Sequence, residues 1–304
     1  MSGLEDIIAA EADRPVIAAA EAFAKHLVGR FGPATAAVLF YGSCLRAKSD
    51  EGLILDFYVL VDRMGATTPN PLLALAGTVL PPNVYYLELP FDGRTVRAKV
   101  AVMTMAGFVS GCAPGGLVSA IWARFAQPTA IVFARTGEIR RRTIAALADA
   151  VRAMIATAMP LMPATFTARD IWVRALQETY RAELRPESPE KAAELVDLDQ
   201  VRYRAVTEAI LGRPEDGEGH TQSSPFTHNA GLFQWLLRRI AGRTLNVLRL
   251  IKATFTFEGG LDYAVWKIER HSGVKIELTD TAHKRPLITG LRLALKTWRK
   301  GGVR

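Results

Sequence analysis

The order of strand-like and helical segments constrains the fold more than any other feature of the sequence. Short apolar runs typical of strands occupy 36–41, 53–61, 84–89, 95–103 and 130–134. Phe91-Asp92-Gly93-Arg94 is typical of a hairpin turn. After residue 138 the apolar spacing becomes helical. We therefore predict an α+β fold, with a mixed sheet flanked by helices in 1–150 and a mostly helical domain in 151–285.

The helical spacing also gives individual predictions. Helices are expected over 4–31, 104–111, 117–126, 168–182, 231–252, 261–271 and 286–299. Thr167, with Asp170 three residues later, predicts the start of one helix. Ser188-Pro189-Glu190 predicts the start of another. The polar, glycine-rich stretch 212–224 is predicted to be a loop.

Composition excludes several classes of protein. The chain has 304 residues, of which 49% are hydrophobic and 22% charged, unlike a disordered or collagen-like chain. Two cysteines, Cys44 and Cys112, are too few for a disulfide scaffold and are expected to be reduced thiols. We expect neither a spanning helix of ~18 uncharged apolar residues nor a secretory signal. The predicted location is cytoplasmic, with contact to a membrane surface left open.

Charge is distributed unevenly along the chain. The net charge is +8, and residues 235–304 hold 15 basic and 5 acidic side chains. The remainder of the chain therefore sums to about −2 by subtraction. Such a basic region indicates a phosphate-bearing partner, which could be nucleic acid, nucleotide or anionic lipid.

The stretch from Tyr41 to Asp62 offers the clearest chemistry. One predicted strand ends in Gly42-Ser43, and a second carries Asp56 inside an apolar run. A carboxylate in such a run requires a partner or a cation, and glycine lets backbone N–H groups approach phosphates. These residues suit a magnesium-dependent phosphoryl or nucleotidyl transfer. A plain turn followed by an edge strand with a solvated aspartate explains the same pattern.

This arrangement resembles the nucleotidyltransferase superfamily of the DNA polymerase β type. That superfamily usually shows Asp-x-Asp on the second strand, whereas Asp56 is followed here by Phe57 and Tyr58. The segments YGSCLR and LILDFYVLVD are more similar to the soluble, mitochondrial-type CDP-diacylglycerol synthases, the translocator assembly and maintenance protein family. Without a recognisable transit segment, the chain is expected to be a bacterial relative.

Four further stretches resemble that family in the same order, so that the similarity covers about residues 36–200. They are Val84-Tyr85-Tyr86 with Ala98 to Val102, Trp122 to Pro128, Thr179 to Arg185, and Glu190 to Val196. The sequence also departs from the family pattern. Gln127 replaces a lysine, Glu183 replaces an aspartate, and the Trp-His expected after Asp62 is not visible.

The resemblance implies a role for each matching residue. Asp56 and Glu183 would be the catalytic carboxylates that bind Mg²⁺, or alternatively Mn²⁺. Lys99 would act in catalysis and contact the nucleotide. Gly42, Ser43, Arg124 and Arg185 would complete the nucleotide site. Lys99 as a strand-end lysine reaching water, and Arg124 and Arg185 as surface ion-pair partners, remain alternatives.

The implied activity is phosphatidate cytidylyltransferase: the lipid phosphate attacks the α-phosphorus of CTP and pyrophosphate leaves. The expected partners are CTP and phosphatidate or another anionic lipid, with no nucleic acid, on the inner face of the cell membrane. Two alternatives remain open. One is a nucleotidyltransferase with a small-molecule, protein or RNA acceptor. The other is a non-catalytic membrane-surface protein with a degenerate nucleotidyltransferase fold.

Residues 286–304 form a third predicted unit, a basic amphipathic helix. Apolar residues at helical spacing accompany basic ones, which is typical of an interfacial anchor. The residues predicted to bind the membrane are Arg292, Lys296, Trp298, Arg299 and Lys300. An ordinary surface helix packed on the core is the alternative. The same two interpretations apply to four apolar residues earlier in the chain, Leu232, Trp235, Leu236 and Ile240. These four are predicted to be core residues.

Overall fold

The computed structural model describes residues 3–50, 53–183, 189–212, 219–220 and 225–256. The helices are α1 Leu4–Ala12, α2 Ala18–Phe31, α3 Ser43–Ala47, α4 Pro71–Val79, α5 Met105–Cys112, α6 Trp122–Phe125, α7 Gly137–Ala158, α8 Ala168–Glu183, α9 Pro189–Asp197, α10 Gln200–Leu211 and α11 Pro225–Thr256. The strands are β1 Thr35–Tyr41, β2 Leu55–Val61, β3 Asn83–Phe91, β4 Arg94–Thr104, β5 Thr129–Ala134, β6 Thr165–Phe166 and β7 Gly219–His220.

Five strands form one mixed sheet in the order β3-β4-β2-β1-β5. Strands β2 and β4 are parallel, and the other three pairings are antiparallel. The hairpin between β3 and β4 turns at Asp92 and Gly93, whose φ angles are 51° and 71°. Two consecutive positive φ angles are typical of a two-residue hairpin loop. The sheet flanked by helices confirms the α+β class and the five predicted strands.

Alternation along the strands gives the sheet two apolar faces. On one face, Phe57 and Val59 of β2 pack in a cluster with Phe23 and Leu27 of α2. On the opposite face, Tyr58 and other strand residues join a larger cluster that includes side chains of α1, α5, α7, α8 and α10. Because side chains alternate at a period of two, one strand serves both cores. The candidate site lies at one end of this second face.

Some predicted helices have different bounds. The helix expected over 4–31 is interrupted between Ala12 and Ala18, because Pro15 lacks an N–H donor and disfavours helix at the residue before it. The expected helix over 117–126 is confined to Trp122–Phe125, and the one over 231–252 extends to Pro225–Thr256. Two residues of the predicted 212–224 loop, Gly219–His220, pair instead with Thr165–Phe166.

Capping residues explain where two helices begin. Thr167 Oγ1 accepts from the Asp170 N–H at 3.2 Å, and Asp170 Oδ2 accepts from the Thr167 N–H at 2.9 Å, which confirms the predicted start of α8. The sequence analysis missed α4, although Asn70 accepts from the Leu72 N–H at 3.0 Å and Pro71 opens the helix.

The predicted domain division stays a prediction. Helix α7, Gly137–Ala158, continues across residue 150, where the first boundary was placed. Residues 286–304, and the helices expected over 261–271 and 286–299, lie outside the described residues. Within the described ranges one segment, Gly137–Leu161, is long and apolar enough to span a bilayer, and 61% of its most apolar 18-residue stretch is buried inside the protein.

A buried ion pair connects the beginning of the chain with α10. Arg202 Nε donates to Glu11 Oε2 at 2.7 Å, and both residues are buried. Glu11 Oε1 also accepts from the Thr129 N–H at 3.3 Å, while the Arg202 guanidinium lies over the Trp172 ring at 5.5 Å. Glu11 therefore links α1, β5 and α10.

Replacing Glu11 with alanine should destabilise the fold by about 3 kcal/mol, because the Arg202 charge would stay buried without its partner. Urea unfolding of both proteins measures the difference. Glu5→Ala is the matched control on the same helix: its pair with Arg152 is solvent-exposed, and its loss should cost about 1 kcal/mol or less. Equal losses in the two variants would contradict the structural role of Glu11.

Candidate functional site

Three predicted or motif residues lie in one row at an end of the sheet. Tyr41 of β1 is in register with Asp56 of β2, and Asp56 is in register with Lys99 of β4. By strand alternation they share the face on which Tyr58 and Ala101 lie two residues further along. Asp56 is partly buried and Lys99 is exposed. The sheet therefore brings a carboxylate and an ammonium group onto neighbouring strands.

Gly42 lies directly against Asp56. Its φ angle is +88°, and a Cβ built at this position would lie 2.9 Å from Asp56 Oδ2. A side chain would thus be strained by the backbone and would also displace the carboxylate. Ser43, which follows, is exposed and is the first residue of α3. The turn at Gly42 therefore lies against the strand aspartate.

Arg124 of α6 lies behind this row. Its Nη1 donates to Tyr58 Oη at 3.1 Å and to the Ala120 carbonyl at 3.3 Å. The guanidinium carbon is 5.9 Å from the ring centres of both Tyr41 and Tyr58. Burial alone would lower the pKa of Arg124. The surrounding groups, Tyr58 and Tyr41 first and then Glu183 and Asp56, outweigh it and raise that pKa.

Glu183 reaches the site from the helical part of the chain. It is the last residue of α8 and is half-buried, with Oε1 shielded from solvent. Asn246 Nδ2 of α11 donates to the Glu183 carbonyl oxygen at 2.7 Å, which fixes the end of α8 against α11. The charges of Glu183 and Asp56 both raise the pKa of Arg124, so each of the two predicted carboxylates acts on the same guanidinium group.

Arg249 is a further basic residue here, which the sequence analysis missed. Its Nε donates to the Pro81 carbonyl at 2.9 Å. Burial lowers the pKa of Arg249, and the charges that act on it include Arg124 and Glu183. Its spacing from Gly242 and Asn246 places it on the inward face of α11. The spacing shows that these residues share one face of α11. Only the packing of α11 shows that this face lies towards the candidate site.

One turn further along α11, Lys252 fastens the helix to the segment before β3. Its Nζ donates to the Pro82 carbonyl at 2.6 Å and to Asn83 Oδ1 at 3.1 Å. Burial, with a smaller contribution from Arg249, lowers the pKa of Lys252 to about 8. Lys252 therefore holds α11 against the segment before β3, while the charges of Arg124 and Glu183 act on Arg249.

Cys44 adjoins the site without offering a nucleophile. Its Sγ donates to the Ile54 carbonyl at 3.1 Å. Burial, reinforced by the Asp56 charge, raises the pKa of the Cys44 thiol to about 11. A thiol in this state stays protonated near neutral pH and is a poor nucleophile.

The donor set suits a hard divalent cation. Mg²⁺ is commonly bound through one or two carboxylates together with water and substrate phosphates. Asp56 and Glu183 would supply those carboxylates. Among the residues that the structure describes, no group of three histidine, cysteine, aspartate or glutamate side chains could hold a metal. A cation here would thus require oxygen ligands from water and substrate.

The other predicted site residues lie outside the described part of the chain. They are Arg185, Arg292, Lys296, Trp298, Arg299 and Lys300. Of the residues that the family motif includes, Tyr180 is buried in the main hydrophobic cluster.

The sequence was compared with family models and with curated proteins. It matches none of the family models and none of the curated proteins. The resemblance to CDP-diacylglycerol synthases therefore depends on the motifs of the sequence.

Replacing Gly42 with alanine should disturb the site more than the same change at Gly93. Both glycines have a positive φ, so each alanine is strained by about 1–2 kcal/mol. Only at Gly42 would the new Cβ also meet Asp56, because nothing lies within 4 Å at Gly93. Urea unfolding should show the larger loss of stability for Gly42→Ala. Equal losses would contradict the contact between this turn and Asp56.

Proposed function

We propose that the protein is a nucleotidyltransferase, specifically a phosphatidate cytidylyltransferase that forms CDP-diacylglycerol and pyrophosphate from CTP and phosphatidate. The observation that carries the proposal is the placing of Asp56 and Lys99 on neighbouring strands, with Gly42 directly against Asp56. The Arg124 guanidinium, bonded to Tyr58, lies behind them, and the charges of Glu183 and Asp56 both raise its pKa. Carboxylates from the sheet and from the helical part thus act on one guanidinium group, and this mixture of acidic and basic side chains suits a cation and phosphate-bearing substrates. The motifs over 36–200 supply the substrate assignment.

Each site residue has a role in this proposal. Gly42 and Ser43 would contact the β- and γ-phosphates, with Gly42 leaving room for backbone N–H groups beside Asp56. Lys99, exposed next to Asp56, would bind a triphosphate oxygen. Arg124 and Arg249 would neutralise phosphate charge from the helical side of the site. Asp56 and Glu183 would hold Mg²⁺, or Mn²⁺, which supplies charge neutralisation when bound.

The proposed reaction needs the two substrates to be aligned more than it needs a base to remove a proton from the attacking phosphate. A phosphate monoester has a second pKa of about 6 and is largely a dianion near neutral pH. One of its oxygens would form a bond to the α-phosphorus while the bond to the β-phosphate oxygen breaks, and pyrophosphate would leave. The arginines and Lys99 would orient the two anions and offset their repulsion.

A non-catalytic protein with a degenerate nucleotidyltransferase fold is the second candidate. The position of the second aspartate of the superfamily motif is occupied by Tyr58, which is buried and accepts a hydrogen bond from Arg124. An aromatic side chain fixed in this way cannot bind a cation as a carboxylate does. This observation favours the alternative, and activity measurements distinguish the two.

The proposed location is the cytoplasmic face of the cell membrane, with CTP as the soluble substrate and an anionic lipid as the acceptor. The decisive measurement is pyrophosphate release from each of the four nucleotides with Mg²⁺, with and without phosphatidate in vesicles. Release with CTP only when phosphatidate is present is the expected result. Nucleotide binding without release would indicate another acceptor. Vesicle binding with neither nucleotide binding nor release would favour the non-catalytic protein.

Asp56→Asn and Glu183→Gln should each lower the rate of pyrophosphate release by about 10²–10³, since each removes a carboxylate that would hold the Mg²⁺ ion against the reacting phosphates. Asp62→Asn is the control near the end of the same strand: that aspartate is exposed and bound to Arg135 at 2.7 Å, and its variant should keep the wild-type rate. Full activity in either carboxylate variant would overturn its assignment.

A further inference from the structure

Helix α11 has the reverse of the usual arrangement of a surface helix. Surface helices normally turn apolar side chains toward the core. The inward side of α11 instead includes Arg238, Asn246, Arg249 and Lys252. The outward side carries eight large apolar residues that are between 38% and 82% exposed: Phe226, Leu232, Phe233, Leu236, Leu237, Ile240, Val247 and Leu248. The prediction that Leu232, Leu236 and Ile240 are core residues is therefore wrong. Trp235, the fourth residue of that predicted group, is buried.

Specific contacts fix this orientation. Trp235 Nε1 donates to the Thr157 carbonyl at 2.9 Å, and Arg239 Nη2 donates to Glu178 Oε2 at 2.6 Å. A Cβ on Gly242 would lie 2.6 Å from the Ala182 carbonyl oxygen, so that only glycine permits the close approach of α8 and α11. Asn246 adds the bond to Glu183. Rotating α11 to bury its apolar side would break all of these contacts.

An apolar surface of this size indicates a partner. The exposed charge of the helix favours an anionic one. Arg243 is exposed in the same row as Leu236 and Ile240, and α11 has no acidic residue. Arg243 on this side would repel the same residue of a second copy, whereas anionic headgroups would attract it. A helix with an apolar side, flanking basic residues and no acidic residue is typical of the membrane interface.

The helix beside it adds to the positive charge. Three arginines, Arg174, Arg181 and Arg239, surround the single buried carboxylate of Glu178 at 3.4, 2.8 and 2.6 Å. The group has a net charge of +2 from three guanidinium groups and one carboxylate. Arg181 is exposed at the surface. Arg181 therefore adds an exposed positive charge on the helix that packs against α11.

A second exposed apolar face lies just before the segment that α11 contacts. Leu72, Leu75 and Val79 of α4 are 74%, 59% and 74% exposed, at the spacing of one helix face. Lys252 of α11 binds the carbonyl of Pro82, three residues beyond Val79. Arg249, one turn before Lys252, donates to the Pro81 carbonyl, and the charges of Arg124 and Glu183 act on it. The apolar side of α11 therefore ends close to the groups proposed to bind phosphate.

We propose that the outward side of α11, defined by the eight apolar residues above, binds the surface of an anionic lipid bilayer. This inference rests on the proposed function in one respect, since a lipid acceptor gives the enzyme a reason to lie on a bilayer. It assigns membrane contact to α11, in addition to the residues predicted within 286–304. The helix would lie in the headgroup region and place the candidate site beside the lipid phosphates.

Flotation with phosphatidylcholine vesicles, with and without phosphatidylglycerol, tests this proposal on the full chain. The variant Phe233→Ser/Ile240→Ser removes two apolar contacts and should bind the anionic vesicles at least about tenfold more weakly. The matched control is Val201→Ser/Leu211→Ser, which removes two exposed apolar side chains of α10 and should bind like the wild type. Unchanged binding by the α11 variant, or no vesicle binding by the wild type, would overturn the proposal.

Two measurements without lipid identify other occupants of this surface. If the chain itself covers it, the α11 variant would have a lower Tm than the control variant. If a second copy covers it, sedimentation would show a wild-type dimer that the α11 variant loses. Either result would overturn the bilayer proposal, which expects an unchanged Tm and the same oligomeric state in both variants.

A water-soluble, short-chain phosphatidate separates this proposal from the proposed function. If α11 binds the bilayer and the enzyme assignment is right, the α11 variant keeps turnover with this substrate and loses it with vesicles. If the enzyme assignment fails, no variant turns over either substrate, but vesicle binding still depends on α11. If only the membrane surface is misassigned, both substrates are used equally by the variant and the wild type.

Discussion

The candidate site depends on the position of one guanidinium group. Arg124 is held by the hydroxyl of Tyr58 and lies at 5.9 Å from two tyrosine rings, so that the sheet determines where its charge lies. The carboxylates that act on this charge come from parts of the chain far apart in sequence, Asp56 from β2 and Glu183 from the end of α8. Correct formation of the site therefore requires the sheet and the helical part to pack together.

The sheet could be predicted because its signals are local. Alternating apolar residues and a two-residue turn at Asp92-Gly93 determine β3 and β4, and the same alternation places Asp56 and Tyr58 on one face. The error in the first helix is also local, because Pro15 marks the interruption. Likewise Asn70-Pro71 offered a start signal for α4 that was not used.

The orientation of α11 could not be predicted in this way. Its apolar residues have helical spacing, and such spacing normally indicates the side that faces the core. The side that meets the protein is instead selected by contacts with residues distant in sequence, such as Gly242 against Ala182 and Asn246 against the Glu183 carbonyl. Arg249 was missed for the same reason. Arg249 matters because of the groups near it, Arg124 and Glu183, and the apolar periodicity of α11 does not reveal them.

The ion pair between Glu11 and Arg202 joins residues that are 191 positions apart. During synthesis, α1 emerges from the ribosome long before its partner on α10, so that Glu11 cannot acquire its buried counter-charge until about two thirds of the chain has been made. Contacts of such long range form late and slow the folding of a chain. The sheet can therefore assemble before Glu11 has its partner. The N-terminal helix is expected to take its final position only after α10 has packed against the protein.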